Sequence, residues 1–264
     1  MTFLMDITLG HYFPGKSILH RLDPRSKLLA SLFLMTGVLL THELKLLMIE
    51  ISMLFLGMVF SKIPLKIILK NLKGFYWLFL LTFLIHVSDF SGSASFPFVN
   101  VHFTQTGLVA GVIYTWRLVL IIIITAYLTL TTSPLELTDS LEKIFSPLKR
   151  LKLPVQEFAM MMTMSLRFIP ILLTEADRIK HAQLSRGASL EGSLVKKIKN
   201  IVPMLLPLFI SVIRRADELS VAMEARCYSG GEGRSHYQQL TFHSDDLVVM
   251  MLSGAFLLGV LLLR

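Results

Sequence analysis

Leu118-Val119-Leu120-Ile121-Ile122-Ile123-Ile124-Thr125-Ala126-Tyr127-Leu128-Thr129-Leu130 contains no acidic or basic side chain, and the way it is read decides the fold. Residues 28–40 and 75–85 are uncharged in the same way. A helix perpendicular to a bilayer needs roughly 20 mostly apolar residues, so no core of this length proves a crossing alone. Several such cores in one chain, each with basic flanks, do argue for a membrane protein. The whole chain is 53% hydrophobic and only 17% charged, where soluble domains carry about one quarter charged residues.

Working outward from these cores gives about five transmembrane helices, near residues 27–41, 44–60, 74–88, 107–131 and 246–263. Asp23 can cap a helix opening at Pro24, because aspartate accepts free first-turn amides and proline suits the first helical position. Thr41-His42-Glu43 breaks the first run from the second, so that pair reads as a tight hairpin. Arg117 lies inside the fourth span and is expected to snorkel or to pair within the bundle. Residues 61–74 carry Lys62, Lys66, Lys70 and Lys73 and no acid, which marks an inner side. Residues 88–106 carry Asp89 but no Lys or Arg and belong outside. The N-terminus and residues 133–235 are then cytoplasmic, and a last crossing puts Arg264 outside. With no cleavable signal pattern at the start, the first spans are expected to direct insertion.

Residues 133–235 differ in kind, with 15 Lys or Arg against 11 Asp or Glu and apolar residues throughout. Three long amphipathic helices fit them, at about 134–149, 154–186 and 194–226, lying at the membrane surface with one face available to partners. Pro170, Pro203 and Pro207 are expected to bend or interrupt them. The methionines at 160–162 and 164, with Met204 and Met223, suit either an adaptable contact surface or ordinary packing. The chain thus divides into residues 1–132 (N-terminal membrane helices), 133–235 (cytoplasmic helices) and 236–264 (a C-terminal membrane helix). The fold class is all-α and polytopic.

An internal echo runs through this cytoplasmic part. Ala176-Asp177-Arg178-Ile179-x-x-Ala182-x-x-Ser185-Arg186-Gly187 is matched 40 residues later by Ala216-Asp217-Glu218-Leu219-x-x-Ala222-x-x-Ala225-Arg226-Cys227. The apolar and alanine positions fall three apart and so share a helix face, and the alanines allow close helix approach. Each arginine comes at a helix end, where the dipole favours a cation. Two readings stand: ordinary helix-end cations, or a matched pair of arginine arms docking two similar surfaces of a dimeric or pseudo-dimeric partner. The planar guanidinium fork favours arginine over lysine for docking. Asp177 and Asp217, with Arg215 and Glu224 nearby, are candidate supporting residues, as ion pairs or as plain surface charge. Glu175 shares a face with Arg167 but lies too far along the helix for an adjacent-turn pair.

Other function classes find little support. The net charge of +8 suits basic loops beside anionic membrane lipid better than nucleic acid. One cysteine, Cys227, excludes an internal disulfide framework and a thiolate metal cluster. No phosphate loop and no His-Glu-x-x-His motif occurs, and Ser185 has no evident base beside it. No catalytic, cofactor-binding or metal-binding residues are therefore assigned. Nor is there the broken-helix inverted repeat of many secondary transporters. A membrane-bound enzyme would need polar groups converging in one cavity. A conventional importer or exporter subunit would bind solute by itself.

The chain resembles the transmembrane coupling (T) component of energy-coupling factor (ECF) transporters. The resemblance rests on Tyr12-Phe13-Pro14-Gly15, on His20-Arg21-Leu22-Asp23-Pro24-Arg25-Ser26-Lys27, and on Ser165-Leu166-Arg167-Phe168-Ile169-Pro170 running through Glu175-Ala176 to Ser185-Arg186-Gly187. A second block is Arg215-Ala216-Asp217-Glu218-Leu219 with Ala222-Met223-Glu224-Ala225-Arg226-Cys227. By resemblance, Ser185-Arg186-Gly187 and Ala225-Arg226-Cys227 are the two arginine motifs that end long coupling helices, each docking one of two ABC-type ATPase subunits. ATP and Mg would sit on those partners and no cofactor on this chain. A separate substrate-capture membrane subunit would bind a vitamin or other micronutrient, and the opening motif looks closer to the shared vitamin-uptake type than to the dedicated cobalt or nickel type. Serine for the usual first alanine, and cysteine for the usual last glycine, are small departures, though Cys227 lacks glycine's backbone freedom.

Overall fold

A computed structural model describes residues 13, 15, 17–41, 44–61, 63–89, 102–103, 105–187, 194–228, 230 and 242–262. The expected break at His42-Glu43, Lys62, most of the expected outer segment 88–106, and Arg264 lie outside the described residues. The described fold is helical. Its helices are α1 (Ile18–Arg21), α2 (Pro24–Leu40), α3 (Leu44–Ser61), α4 (Leu65–Gly74), α5 (Tyr76–Val87), α6 (Gln105–Thr131), α7 (Pro134–Ile144), α8 (Val155–Ser185), α9 (Leu194–Ala225) and α10 (Ser244–Leu262). A 3-10 turn, Ser146–Leu151, follows α7, and Ser88–Asp89 pairs antiparallel with His102–Phe103 as a two-residue ladder. The residues fall into two units, one within Thr138–Gln239 and the other within Gly10–Leu137 together with Leu240–Arg264.

The second unit is a bundle of the apolar helices. Val38, Leu47, Leu120 and Ile124 form one buried cluster, and Ile63, Ile68, Tyr127 and Leu130 form another. Leu46, Phe256 and Val260 bring α10 into the bundle. Helices α5 and α6 approach closely at Gly107 and Gly111, where an added methyl would lie 3.1 Å from the Val87 carbonyl oxygen and 2.9 Å from Val87 Cγ2. That is the small-xxx-small spacing that lets membrane helices pack backbone to backbone. Arg117 resolves as a bundle partner. Its Nη2 donates to the Thr41 carbonyl, which closes α2, and its guanidinium lies 4.9 Å from the centroid of the Tyr114 ring.

One end of this bundle is tied by a buried polar knot. Asp23 caps α2 as expected, its Oδ1 accepting from the Arg25 amide at 3.0 Å. The Asp23 amide in turn donates to Asp246 Oδ1 at 2.7 Å, and Asp246 Oδ2 accepts from the His243 amide at 2.8 Å. Lys27 Nζ reaches the Thr131 carbonyl at 3.1 Å, at the last residue of α6. The starts of α2 and α10 and the end of α6 therefore meet at one end. His20 fastens the preceding turn. The Phe13 carbonyl can only accept, so His20 Nε2 donates to it at 2.9 Å and Nδ1 accepts from the Ser17 hydroxyl at 2.6 Å.

Among the described residues three helices are each long and apolar enough to cross a bilayer, at Gly107–Thr131, Val155–Ser185 and Ser244–Leu262; α4 with α5 makes a fourth if that pair, bent by 59°, is one span. Helices α2 and α3, with 17 and 18 residues, occupy the expected first two spans at the short edge of the spanning range. Helix α8 has the expected range and, by length and composition, also passes as a span. The reason is polarity along its axis: from Val155 to Thr174 only Glu157 and Arg167 are charged, and the remaining charges gather after Thr174. Pro170, Pro203 and Pro207 do not interrupt α8 or α9, which run continuously through them.

Candidate functional site at two arginine-ended helices

The unit within Thr138–Gln239 carries both echo segments, and its helices end in the same way. Ser185 is the last residue of α8 and Arg186 its cap, with the Arg186 amide donating to the Ala182 and Gln183 carbonyls at 3.3 and 3.1 Å. Gly187 then takes φ +86°, and its amide donates to the Leu184 carbonyl at 3.0 Å. At the other end, Ala225 is the last residue of α9. The Cys227 amide donates to Glu224 at 2.9 Å and the Tyr228 amide to Met223 at 3.0 Å, with Cys227 at φ +59°. That double pattern is the Schellman closure, in which a left-handed residue turns the chain back over the last carbonyls. The repeated unit is thus a helix end as well as a sequence: arginine at the cap, then one left-handed residue.

All six residues of the two motifs, Ser185, Arg186, Gly187, Ala225, Arg226 and Cys227, are exposed. Among the described residues neither arginine joins an ion pair. Each stands exposed at the end of a helix, and a guanidinium carries five N–H donors.

The supporting residues divide. Arg215 on α9 pairs with Glu175 on α8, Nη2 to Oε2 at 3.6 Å, both partly shielded from solvent. These two positions are themselves 40 residues apart and so equivalent in the echo. From this junction each helix runs 11 residues to its arginine, about 16 Å at helical rise. Asp177, half-buried, and Asp217, exposed, join no ion pair among the described residues. Glu224 lines a shallow groove along the last turns of α9 with Ala216, Leu219, Ser220, Met223 and Tyr228, about 330 Å³ in volume.

Sequence reading missed one feature here, an uncovered apolar stripe on α9. Val202, Leu205, Leu206, Phe209, Ile210 and Ile213 are each 48–64% exposed and follow the three-and-four spacing of one helix face. The spacing is legible in the sequence; which face stays open is not. No group of three or more His, Cys, Asp or Glu side chains suited to a metal occurs among the described residues.

Comparison with known proteins shows the family. The family model described as cobalt transport protein (CbiQ) matches residues 15–237. Relatives named energy-coupling factor transporter transmembrane protein EcfT include one from Acidaminococcus fermentans, 46% identical over 97% of this chain and 96% of the relative. One from Clostridium kluyveri is 43% identical over 94% and 93%, and one from Bacillus subtilis 42% identical over 94% and 95%. A match of this extent covers the helical bundle and both arginine ends, and the chain belongs to the CbiQ/EcfT family as a multi-pass transmembrane component of energy-coupling factor transporters.

Proposed function

We propose that this chain transmits ATP-driven motion from two ABC-type ATPase subunits to a separate membrane subunit that captures a vitamin or other micronutrient. The observation that carries this reading is the matched pair of exposed arginine ends, Arg186 and Arg226, each 11 residues from the Glu175–Arg215 junction. Two like ends suit two like partners. Arginine donors suit the carboxylates and carbonyls of a protein groove, through bidentate charge-assisted hydrogen bonds. Movement of either end is carried along a stiff helix, and the ion pair couples the two.

In this reading both ends face the cytoplasm, where ATP and Mg bind the partner ATPases and hydrolysis takes place there. This chain then contributes mechanical linkage and no reaction of its own. The apolar stripe from Val202 to Ile213 supports a contact with the capture subunit, because an open row of large side chains needs an apolar cover. The Ser185-for-Ala and Cys227-for-Gly departures leave the exposed arginines untouched.

The test is purification of the tagged chain in mild detergent, with its partners identified by mass spectrometry, for wild type and for Arg186→Ala/Arg226→Ala. Two ATPases and a small membrane protein are expected with wild type. In the double variant the ATPases should fall at least tenfold while the chain still inserts. A well-folded wild-type chain that holds no ATPase would overturn the proposal.

A further inference from the structure

We propose that the elbow between α4 and α5 is an anionic-phospholipid site, with the lysines of α4 holding the headgroup phosphate and the adjoining groove against α6 taking an acyl chain. Lys66, Lys70 and Lys73 are all exposed, and their spacing of four and three puts them on one arc of the helix. Residues 61–88 contain no acid, so nothing on these two helices neutralises that arc. Its complement is a phosphate.

The surroundings suit a lipid rather than a soluble anion. Leu65 and Leu69 stand exposed beside the lysines, while Ile68 is buried in the bundle. The two helices meet at an angle of 59°. Directly after the bend, Tyr76 and Trp77 are 67% and 73% exposed, the residue types that settle at headgroup level. A groove of about 270 Å³ lies between the end of α4 and α6, lined by Asn71, Phe75, Ile122, Thr125, Ala126, Thr129 and Leu130. Its two threonines do not make it polar. Thr125 Oγ1 donates to the Ile121 carbonyl at 2.8 Å and Thr129 Oγ1 to the Thr125 carbonyl at 2.9 Å, so both hydroxyl protons are used within α6. Exposed lysines along α4 and an apolar trough where the same helix meets α6 match a lipid carrying a phosphate at one end and hydrocarbon at the other.

Tryptophan fluorescence tests this directly. The chain has two tryptophans, so Trp116→Phe leaves Trp77 at the elbow as the sole reporter. The full-length variant is placed in phosphatidylcholine nanodiscs containing a minor fraction of brominated phosphatidylglycerol or, separately, brominated phosphatidylcholine. One basic residue beside an anionic surface is worth about 1 kcal/mol, or roughly fivefold in local enrichment. The anionic quencher should therefore be at least about fivefold more effective per molecule. Lys66→Gln/Lys70→Gln/Lys73→Gln should bring the two quenchers to parity with phosphatidylcholine quenching unchanged, and the triple arginine replacement should keep the preference. In the parent chain the preference should also fall with added salt. Parity before any lysine is replaced, or a preference that survives the glutamine variant, would overturn the site; parity would instead assign the lysine arc to a protein partner.

Discussion

Cys227 holds a backbone conformation that costs most side chains roughly 1–2 kcal/mol, since a Cβ at φ +59° crowds the following carbonyl. Its counterpart Gly187 takes the same turn without that crowding. Cys227→Gly is therefore expected to stabilise the end of α9 by about 1 kcal/mol, read as about fivefold slower amide exchange in residues 224–228, with ATPase retention unchanged. Faster exchange would show that the cysteine side chain secures the turn. The equivalence of these positions was legible in the spacing alone, because both belong to the repeat. Arg117 and Asp246 were less so: their partners lie 76 and 223 residues away, and no local pattern announces contacts of that separation. Asp246 reads in sequence as an uninformative flanking charge, whereas in the fold it ties two helix starts together.

At the scale of elements, the helices of the 133–235 region follow the expected ranges closely: 154–186 and 194–226 become Val155–Ser185 and Leu194–Ala225. Glycine after Arg186, and the small residues after Arg226, punctuate the chain clearly. Pro170, Pro203 and Pro207 do not end these helices, because one lost amide donor per proline leaves the flanking hydrogen bonds able to carry the helix through. The expected 134–149 helix splits into α7 and a 3-10 turn containing Pro147. The Glu175–Arg215 pair joins α8 and α9 at equivalent points, and being partly exposed it is worth less than about 1 kcal/mol of stability. Its value in this account is registration. Arg215→Glu should lower ATP-driven uptake several-fold while leaving ATPase copurification largely intact, and adding Glu175→Arg should restore most of the uptake. Failure of the swapped pair to restore transport would remove this link from the mechanism.

At the scale of the molecule, the bundle topology follows from the polar knot, since α2 and α10 start where α6 ends. In the orientation proposed above α2 enters from the cytoplasm, so α10, which starts at the same end of the bundle, would have its own end outside. A single cysteine introduced into a Cys227→Ser chain should therefore react with an impermeant maleimide from outside at residue 262, and only after permeabilisation at residue 230. The reverse pattern would invert the orientation. Membrane character was legible in uncharged runs, but the number of crossings was not, because α2 and α3 are of borderline length and α8 is apolar over only part of its course. The central claim is that each arginine-ended helix meets its own ATPase subunit. Photo-crosslinking from Ser185 and, separately, from Ala225, each replaced by benzoylphenylalanine in the assembled complex, tests it most directly. The account predicts a crosslink to an ATPase subunit from both positions, lost for each when the neighbouring arginine is replaced by alanine. Crosslinks confined to lipid or to this chain itself, from either position, would contradict it.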